Sequence, residues 1–565
     1  MPAVKRQLNL MQLGVWIAAV ALLAYGIYLV VQLYWVCDDA FISYRYAKNL
    51  VNGLGLVYNA GEHVEGYTNF LWTILIALGF KLNLEPILFS NILGALSYIG
   101  TVVLLGWFSY RLFSAGRDTG NLFLPLGGMA LLVHHDCQVF ATSGLETSFD
   151  MFLITLGFFL LLQLRTDRSP LWAGLTLIMA AATRPDSMAF YVMGALFLVI
   201  TIRRPWKSLL WYLAPMVLLY LPYWIIRYNY YGWPFPNTYY AKSADLPYYS
   251  QGFEYISLYF RSYYVLLLVP IGLIAALVVK RTQLLSLRNL TVSDRALLLG
   301  VLFCGPYTFY VLRSGGDFMF ARFFIPITPI LLFMLETSLR ALLSRAALLI
   351  PAAAIILLLV FFRWNPYAKG LRHYIADEHD YYPASFIHRA QDIGGKMKLY
   401  FAGTDARIAV MGMYAMYAYY SEAPVVIEAN AGLTDEFTAH QPLAQRGRPG
   451  HEKPATYEYL MSREVNFMIR GGVKPVTPVD SLTCIYFDDF PAYIFAFDND
   501  LMDHLKQFPT VRFRDVRDVI DKLINEYVND HEPRAISSYP FLKEYYFNFN
   551  NDPARQQVFI DALKE

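Results

Sequence analysis

Charge is scarce in this chain. Of its 565 residues only 16% are Asp, Glu, Lys or Arg, where a soluble globular domain carries about a quarter, and 56% are hydrophobic. That shortage excludes a disordered protein and an ordinary soluble enzyme. The net charge of +2 provides no field that would favour nucleic acid or a strongly acidic partner. Cysteine is scarcer still. Cys37, Cys137, Cys304 and Cys484 have no CxxC or other metal-ligand spacing, which excludes a zinc ribbon and a dense disulfide framework and leaves one or two bridges open. No nucleotide fingerprint is present either, since Gly403-Thr404-Asp405-Ala406-Arg407 lacks the glycine spacing of a dinucleotide or P-loop site.

What the chain does have is long apolar runs, with a mean hydropathy of +0.37. The few charges are unevenly shared: residues 1–362 carry a net charge of +8 and residues 363–565 a net charge of −6. The first part reads as a membrane domain and the second as a soluble α/β domain, with β-like runs at 398–402, 425–428, 465–469 and 484–487 and a helical, charge-rich end from 508. The run at 14–36 follows Lys5 and Arg6, exceeds the roughly 20 residues needed to cross a bilayer, and has no small-residue cleavage site behind it. Further runs lie near 86–110, 121–134, 146–164, 170–183, 187–202, 208–229, 262–279, 296–312, 322–340 and 346–362, which predicts about eleven transmembrane helices.

A shorter stretch, 67–82, reads as a thin span or as a helix lying in the interface. The positive-inside rule chooses between these. If the stretch does not cross, Arg111 and Arg117, Arg165 and Arg168, Arg203, Arg204 and Lys207, Lys280, Arg281, Arg288 and Arg295, and Arg340 and Arg345 all fall on the cytoplasmic side. The region 37–85 is then an external loop with a membrane-dipping helix, and the C-terminal domain is external too. Reporter fusions at Gly116, Pro205 and Leu285 should all read as cytoplasmic, and an external signal at any one of them would overturn this topology.

That orientation gathers Asp38, Asp39, Glu62, Glu65, His134, His135, Asp136, Glu146, Asp186, Lys242, Asp317 and Arg322 on the outer face, at or near helix ends. Ionisable groups at membrane depth are costly unless they face a wet cavity, so the gathering points to a site at the outer interface. The most informative segment, CDDAFISYRYAKNLVNGLGLVYNAGEHVEGYTNFLW, places Asp38 and Asp39 ahead of an amphipathic surface helix whose start would favour an ionised carboxylate. One of the two can equally be a simple cap. Arg45, Arg184, Lys242 and Arg322 are the cations at that depth and side. Glu65, Tyr67, Glu146 and Asp317 are polar candidates on the same side, with capping as the alternative role for Glu146. Adjacent His134 and His135 point different ways on a helix and no HxxxH or DxD accompanies them, so they are not assigned to a metal.

The run DDAFISYRYAKNLVNGLGLVYN with GEHVEGYTNFLWT resembles the first external loop of the polytopic glycosyltransferases of GT-C architecture that use lipid-phosphate sugars. It is most similar to the branch of the mycobacterial terminal β-arabinofuranosyltransferase and its bacterial relatives. TSGLETSF (142–149), TRPDS (183–187), PNTYYAK (236–242), GGDFMFARFFIP (315–326), VVIEANAGLTDEFTA and RPGHEK (448–453) are similar to further blocks of that branch. The resemblance implies a multi-pass protein of the bacterial inner membrane that moves a sugar from a polyprenyl-phosphate donor to an acceptor glycan or lipid on the outer face, without nucleic acid. It implies Asp38 as the family carboxylate with Asp39 beside it, acting as a base in an inverting transfer or as nucleophile or stabiliser in a retaining one. It implies that Arg322, Arg184, Arg45 and Lys242 bind the donor phosphate, since the planar fork of Arg suits two phosphate oxygens, and that Glu65, Glu146, Tyr67 and Asp317 meet sugar or acceptor hydroxyls. It implies no definite cofactor and leaves a divalent metal open. Arabinofuranose follows from the branch alone. Mannose or aminoarabinose on the same architecture, and a lipid-linked-glycan transporter, are the competing readings; no internal repeat favours the transporter.

Overall fold

Buried apolar residues recur every three or four positions through most of the chain, and helices result. The computed structural model describes residues 10–114, 124–279, 290–343, 346–366, 371–411, 415–469, 482–530 and 534–564. Lys5, Arg6, Arg117, Lys280, Arg281, Arg288 and Arg345, and the fusion sites Gly116 and Leu285, lie outside the described residues. The described residues fall into two compact units. One draws on Met1–Ser43, Thr68–Pro234 and Ala244–Tyr382, and the other on Tyr44–Tyr67, Phe235–Ser243 and Pro383–Glu565. The expected boundary at 362 and the long second segment starting at Pro383 thus differ by about one loop, and two short pieces of the N-terminal part belong with the second unit.

In the first unit four helices among the described residues are long and apolar enough to cross a membrane: Pro86–Phe113, Trp206–Tyr231, Val292–Ser314 and Ile325–Leu342. A fifth span results if the pair Tyr249–Ser262 and Tyr264–Ala275, bent by 103°, is counted as one. This is a multi-pass membrane architecture. Part of the difference from eleven is geometric. Thr147–Leu162, Pro170–Thr183 and Met188–Thr201 are helices of 16, 14 and 14 residues, so at about 1.5 Å per residue they fall short of a hydrocarbon core of about 30 Å. The run at 121–134 yields only Leu126–Leu132 within the described residues, followed by a separate helix, His135–Ala141. The run at 262–279 does not start a straight helix, because the chain turns at Tyr263. The interfacial stretch is the helix Phe70–Lys81, and the amphipathic one after the first span is Ala40–Val51. All four cysteines are free.

The second unit is built on a six-stranded mixed sheet of β1 (Arg407–Val410), β2 (Val425–Glu428), β3 (Phe467–Ile469), β4 (Cys484–Phe487), β5 (Phe490–Ile494) and β6 (Val511–Phe513), in the order β2-β1-β3-β5-β4-β6. β2, β1 and β3 are parallel; the rest pair antiparallel. Ala409, Ile427, Leu460, Val465, Met468 and Phe495 form its core. The β-like run at 398–402 is instead the end of the helix Ala384–Tyr400. Ala390, Ile393, Gly394, Met397 and Tyr400 are buried at helical spacing, and that period overrides the local composition. The outer edge of β2 is closed by a side chain: Asn59 donates to the Val426 carbonyl at 2.9 Å and accepts from its N–H at 2.9 Å, satisfying polar groups that an unpaired edge strand would expose.

Candidate active site

Asp38 and Asp39 lie where the sequence puts them, immediately before the helix Ala40–Val51. Their carbonyls accept the first backbone bonds, from Phe41 at 3.0 Å and Ile42 at 3.2 Å. Asp38 is buried and Asp39 half-buried. The turn is held by what precedes it: the Cys37 N–H donates to the Ser143 carbonyl at 2.8 Å, and the Trp35 indole donates to the Val139 carbonyl at 2.8 Å. Trp35 also stacks on Tyr382, with ring centroids 6.1 Å apart. Burial, and then the charges of Asp38, Cys37, Glu378 and Asp39, push the Tyr382 hydroxyl well above the usual phenol range, so it stays a neutral donor beside the carboxylates.

The Ser143 carbonyl belongs to the segment Thr142-Ser143-Gly144-Leu145-Glu146. Gly144 takes a positive φ of 76°, a conformation that glycine adopts without strain, and its carbonyl accepts from the Trp72 indole at 3.1 Å. This turn delivers Glu146, 1% exposed, to the start of the helix Thr147–Leu162. Its Oε1 accepts from Arg184 Nη1 at 3.1 Å and from Arg322 Nη2 at 3.1 Å, and its Oε2 accepts from Asn69 Nδ2 at 2.9 Å. Asn69 is itself fixed, its Oδ1 accepting from the Ser43 hydroxyl at 3.0 Å and the Thr73 hydroxyl at 3.1 Å. Glu146 therefore joins four elements. Burial opposes its ionisation, but Arg322 and Arg184, helped by Asn69, outweigh that and hold its pKa down at about 2.

The two arginines are differently occupied. Arg184 is spent on protein: Nε and Nη2 donate to Asp186 at 3.2 and 3.0 Å, Nη1 to Glu146, and Asp150 lies 3.9 Å away. Asp186 also accepts from the Tyr307 hydroxyl at 3.0 Å, and Asp150 from the Ser187 hydroxyl at 2.9 Å. Arg322 follows Gly315 and Gly316, whose φ values of 89° and 72° bring the chain sharply back after the helix Val292–Ser314. Its Nη1 faces Asp317 at 3.5 Å, and its Nε, though buried, has no hydrogen-bond partner among the described residues. Burial opposes the charge of Arg322, and Glu146, Asp317 and Asp39 outweigh it and raise its pKa, which places Asp39 within electrostatic reach of the guanidinium.

The first unit thus brings together Asp38, Asp39, Glu146, Arg184, Asp317 and Arg322. The other four expected site residues belong to the second unit. Arg45 is a structural anchor there: its nitrogens donate to the carbonyls of Tyr58 (2.9 Å), Ala418 (2.9 Å) and Ala423 (2.8 Å). The Glu65 carbonyl accepts from the Asn237 N–H at 3.0 Å, Tyr67 packs edge-on against Tyr46 at 4.9 Å, and the Lys242 stem lies over Gly450. Sequence reasoning missed Asn69, Asp150 and Tyr382. Asp150 was discoverable as the lone acid inside an apolar run.

His135, Asp136 and Asp377 have ligand atoms within 4.8 Å of one another and could hold a cation. Arg363, 3.4 Å from Asp136 and 3.5 Å from Asp377, already supplies positive charge to them. His134 is turned away, capping the Cys137 N–H and stacked on Tyr263 at 3.9 Å.

The mostly helical chain with its several apolar helices has a GT-C fold, which the likeness to a solved structure shows. The chain superposes on ArnT from Cupriavidus metallidurans bound to undecaprenyl phosphate with a TM-score of 0.54 and 12% identity, covering 84% of this chain and 97% of that one; the apo form gives 0.50 and 13%. In sequence it is similar to the terminal β-(1→2)-arabinofuranosyltransferase of Mycobacterium tuberculosis, 29% identical over 318 residues (51% of this chain, 50% of the relative), and to that of Corynebacterium glutamicum, 29% over 342 residues (53% and 47%). The chain spans about half the length of the curated relatives it matches. No family model matches it.

Proposed function

We propose that the protein is a membrane glycosyltransferase of the bacterial inner membrane, moving arabinofuranose from a polyprenyl-phosphate donor to an acceptor glycan or lipid on the outer face. The observation that carries this reading is the adjacent carboxylates Asp38 and Asp39, the second within electrostatic reach of a buried guanidinium, Arg322, whose Nε has no hydrogen-bond partner among the described residues. The arabinofuranosyltransferase relatives support the sugar, and the ArnT likeness supports the fold on which a lipid phosphate is handled.

In this reading the acceptor oxygen forms a bond to the anomeric carbon as the sugar–phosphate bond breaks. Asp38 is the ionised carboxylate at the reacting centre and takes the proton that the acceptor hydroxyl gives up. Arg322 receives the charge that develops on the departing lipid phosphate, and Asp317 binds hydroxyls. Arg184 is a positioning residue, since its fork is filled by Asp186 and Glu146. About eleven membrane passes, some of them made by short helices together with the segments that flank them, and an external second unit complete the proposal.

Purified protein, polyprenyl-phosphate arabinofuranose and an acceptor glycan should yield free polyprenyl phosphate. Turnover only with a mannose or aminoarabinose donor would shift the sugar and keep the mechanism. The bent pair Tyr249–Ser262 and Tyr264–Ala275 is the one observation that favours a transporter, whose broken helices come in matched halves; failure with every donor would reopen that reading. Arg322→Ala should raise the donor KM about 10- to 100-fold, the size of a lost charged hydrogen bond, with Arg322→Lys intermediate. An unchanged donor KM in the alanine variant would remove Arg322 from phosphate binding.

A further inference from the structure

In the second unit the usual ligand edge of a parallel sheet, outside the carboxyl ends of the strands, is filled beyond β2 by the chain itself. The Glu428 carboxylate accepts from the N–H groups of Asn430 (2.9 Å), Ala431 (3.1 Å) and Leu433 (3.0 Å), and Asn237 donates to the carbonyls of Gly432 (2.8 Å) and Leu433 (3.0 Å). The opposite edge is open. A cleft of about 640 Å³ lies there, formed by residues that precede β1 and β3 and follow β5. That volume is within the range of about 300–1,000 Å³ of small-ligand sites.

The chemistry of this cleft is selective. Asp405, Glu464, Asp498 and Asp500 line it against a single guanidinium, Arg407, which is 3.5 Å from Glu464. One oxygen of Asp498 caps the helix Asn499–Leu505, accepting from the Leu501 N–H at 2.9 Å, and Asp405, Glu464 and Asp500 are exposed. A phosphate or other anion would be repelled. A metal ion is not what the carboxylates are arranged for, because among the described residues the group with ligand atoms within 4.8 Å is His135, Asp136 and Asp377, and the cleft acids form none. Carboxylates along a wall, no three of which have ligand atoms within 4.8 Å of one another, suit a chain of hydroxyl donors. Phe549 adds an apolar face for C–H groups, and His504 is in the wall with its Nε2 unpartnered among the described residues. We infer that this cleft binds a neutral oligosaccharide, a stretch of the acceptor glycan; the identification of that glycan as the acceptor rests on the proposed transferase function, whereas the binding chemistry does not.

The test uses the full chain in detergent micelles, with a neutral arabinan hexasaccharide and hexagalacturonate as probes in equilibrium binding, and the double variant Asp405→Arg/Asp500→Arg, both positions being exposed. The hexasaccharide should bind the wild type, hexagalacturonate should not, and the variant should weaken hexasaccharide binding by at least about tenfold, roughly one or two lost hydrogen bonds to charged groups. The variant should keep wild-type turnover on a single-sugar acceptor and lose efficiency on the long glycan. Absence of hexasaccharide binding, equal binding by the variant, or binding of hexagalacturonate as tight as that of the neutral probe would each overturn the inference. Binding with no turnover on any donor would instead overturn the transferase reading and leave the cleft assignment standing.

Discussion

Asp38→Asn is expected to lower kcat by about 10²- to 10⁴-fold, the usual contribution of a positioned acid–base group, while leaving the donor KM within about threefold of the wild type. The substitution is isosteric, so the buried turn between Val36 and the helix Ala40–Val51 is kept and the loss reports chemistry rather than packing. Asp39→Asn should behave differently. Asp39 is half-buried and contributes to the field at Arg322, so its loss should show mainly in the donor KM. Steady-state kinetics on both variants separates the roles; near-normal turnover in Asp38→Asn together with an inactive Asp39→Asn would exchange them.

Glu146→Ala should destabilise the protein by about 3–5 kcal/mol, because it leaves two buried guanidinium groups facing an empty site. Three hydrogen bonds disappear with the carboxylate, from Arg184, Arg322 and Asn69. Thermal unfolding in detergent should show a clear fall in Tm, with Glu146→Gln in between. The pH dependence gives an independent check. The folded pKa of about 2 lies below the ordinary value of 4.5, so the stabilisation from ionised Glu146 is complete above 4.5 and is lost as the pH falls toward 2. The stability gap between wild type and Glu146→Ala should therefore be constant around neutral pH and narrow on acidification. A gap that widens in acid would contradict the ion-pair assignment.

Within the site, legibility followed chain distance. Asp38 and Asp39 could be read because a charged pair directly after an apolar run is rare and the helix that follows is local. Arg322 was legible for the same reason, at the head of a span behind two glycines. Glu146 was recognisable as a candidate, but its role was not: its partners Asn69, Arg184 and Arg322 are 77, 38 and 176 residues away. Arg45 shows the converse. Its place in Tyr44-Arg45-Tyr46 looks like an exposed cation, and only the folded second unit surrounds it with carbonyls.

The sequence by itself determined the membrane class, the surface and interfacial helices of the first loop, and the residue types available for chemistry, because apolar period and charge placement act over a few turns of chain. Only the tertiary structure decided helix lengths and bends, the allotment of Arg45, Glu65, Tyr67 and Lys242 to the second unit, and which arginine is already committed. A guanidinium has the same sequence signature whether carboxylates fill its fork, as for Arg184, or leave its Nε without a partner among the described residues, as for Arg322. That difference is set by contacts between distant segments, which no local pattern encodes.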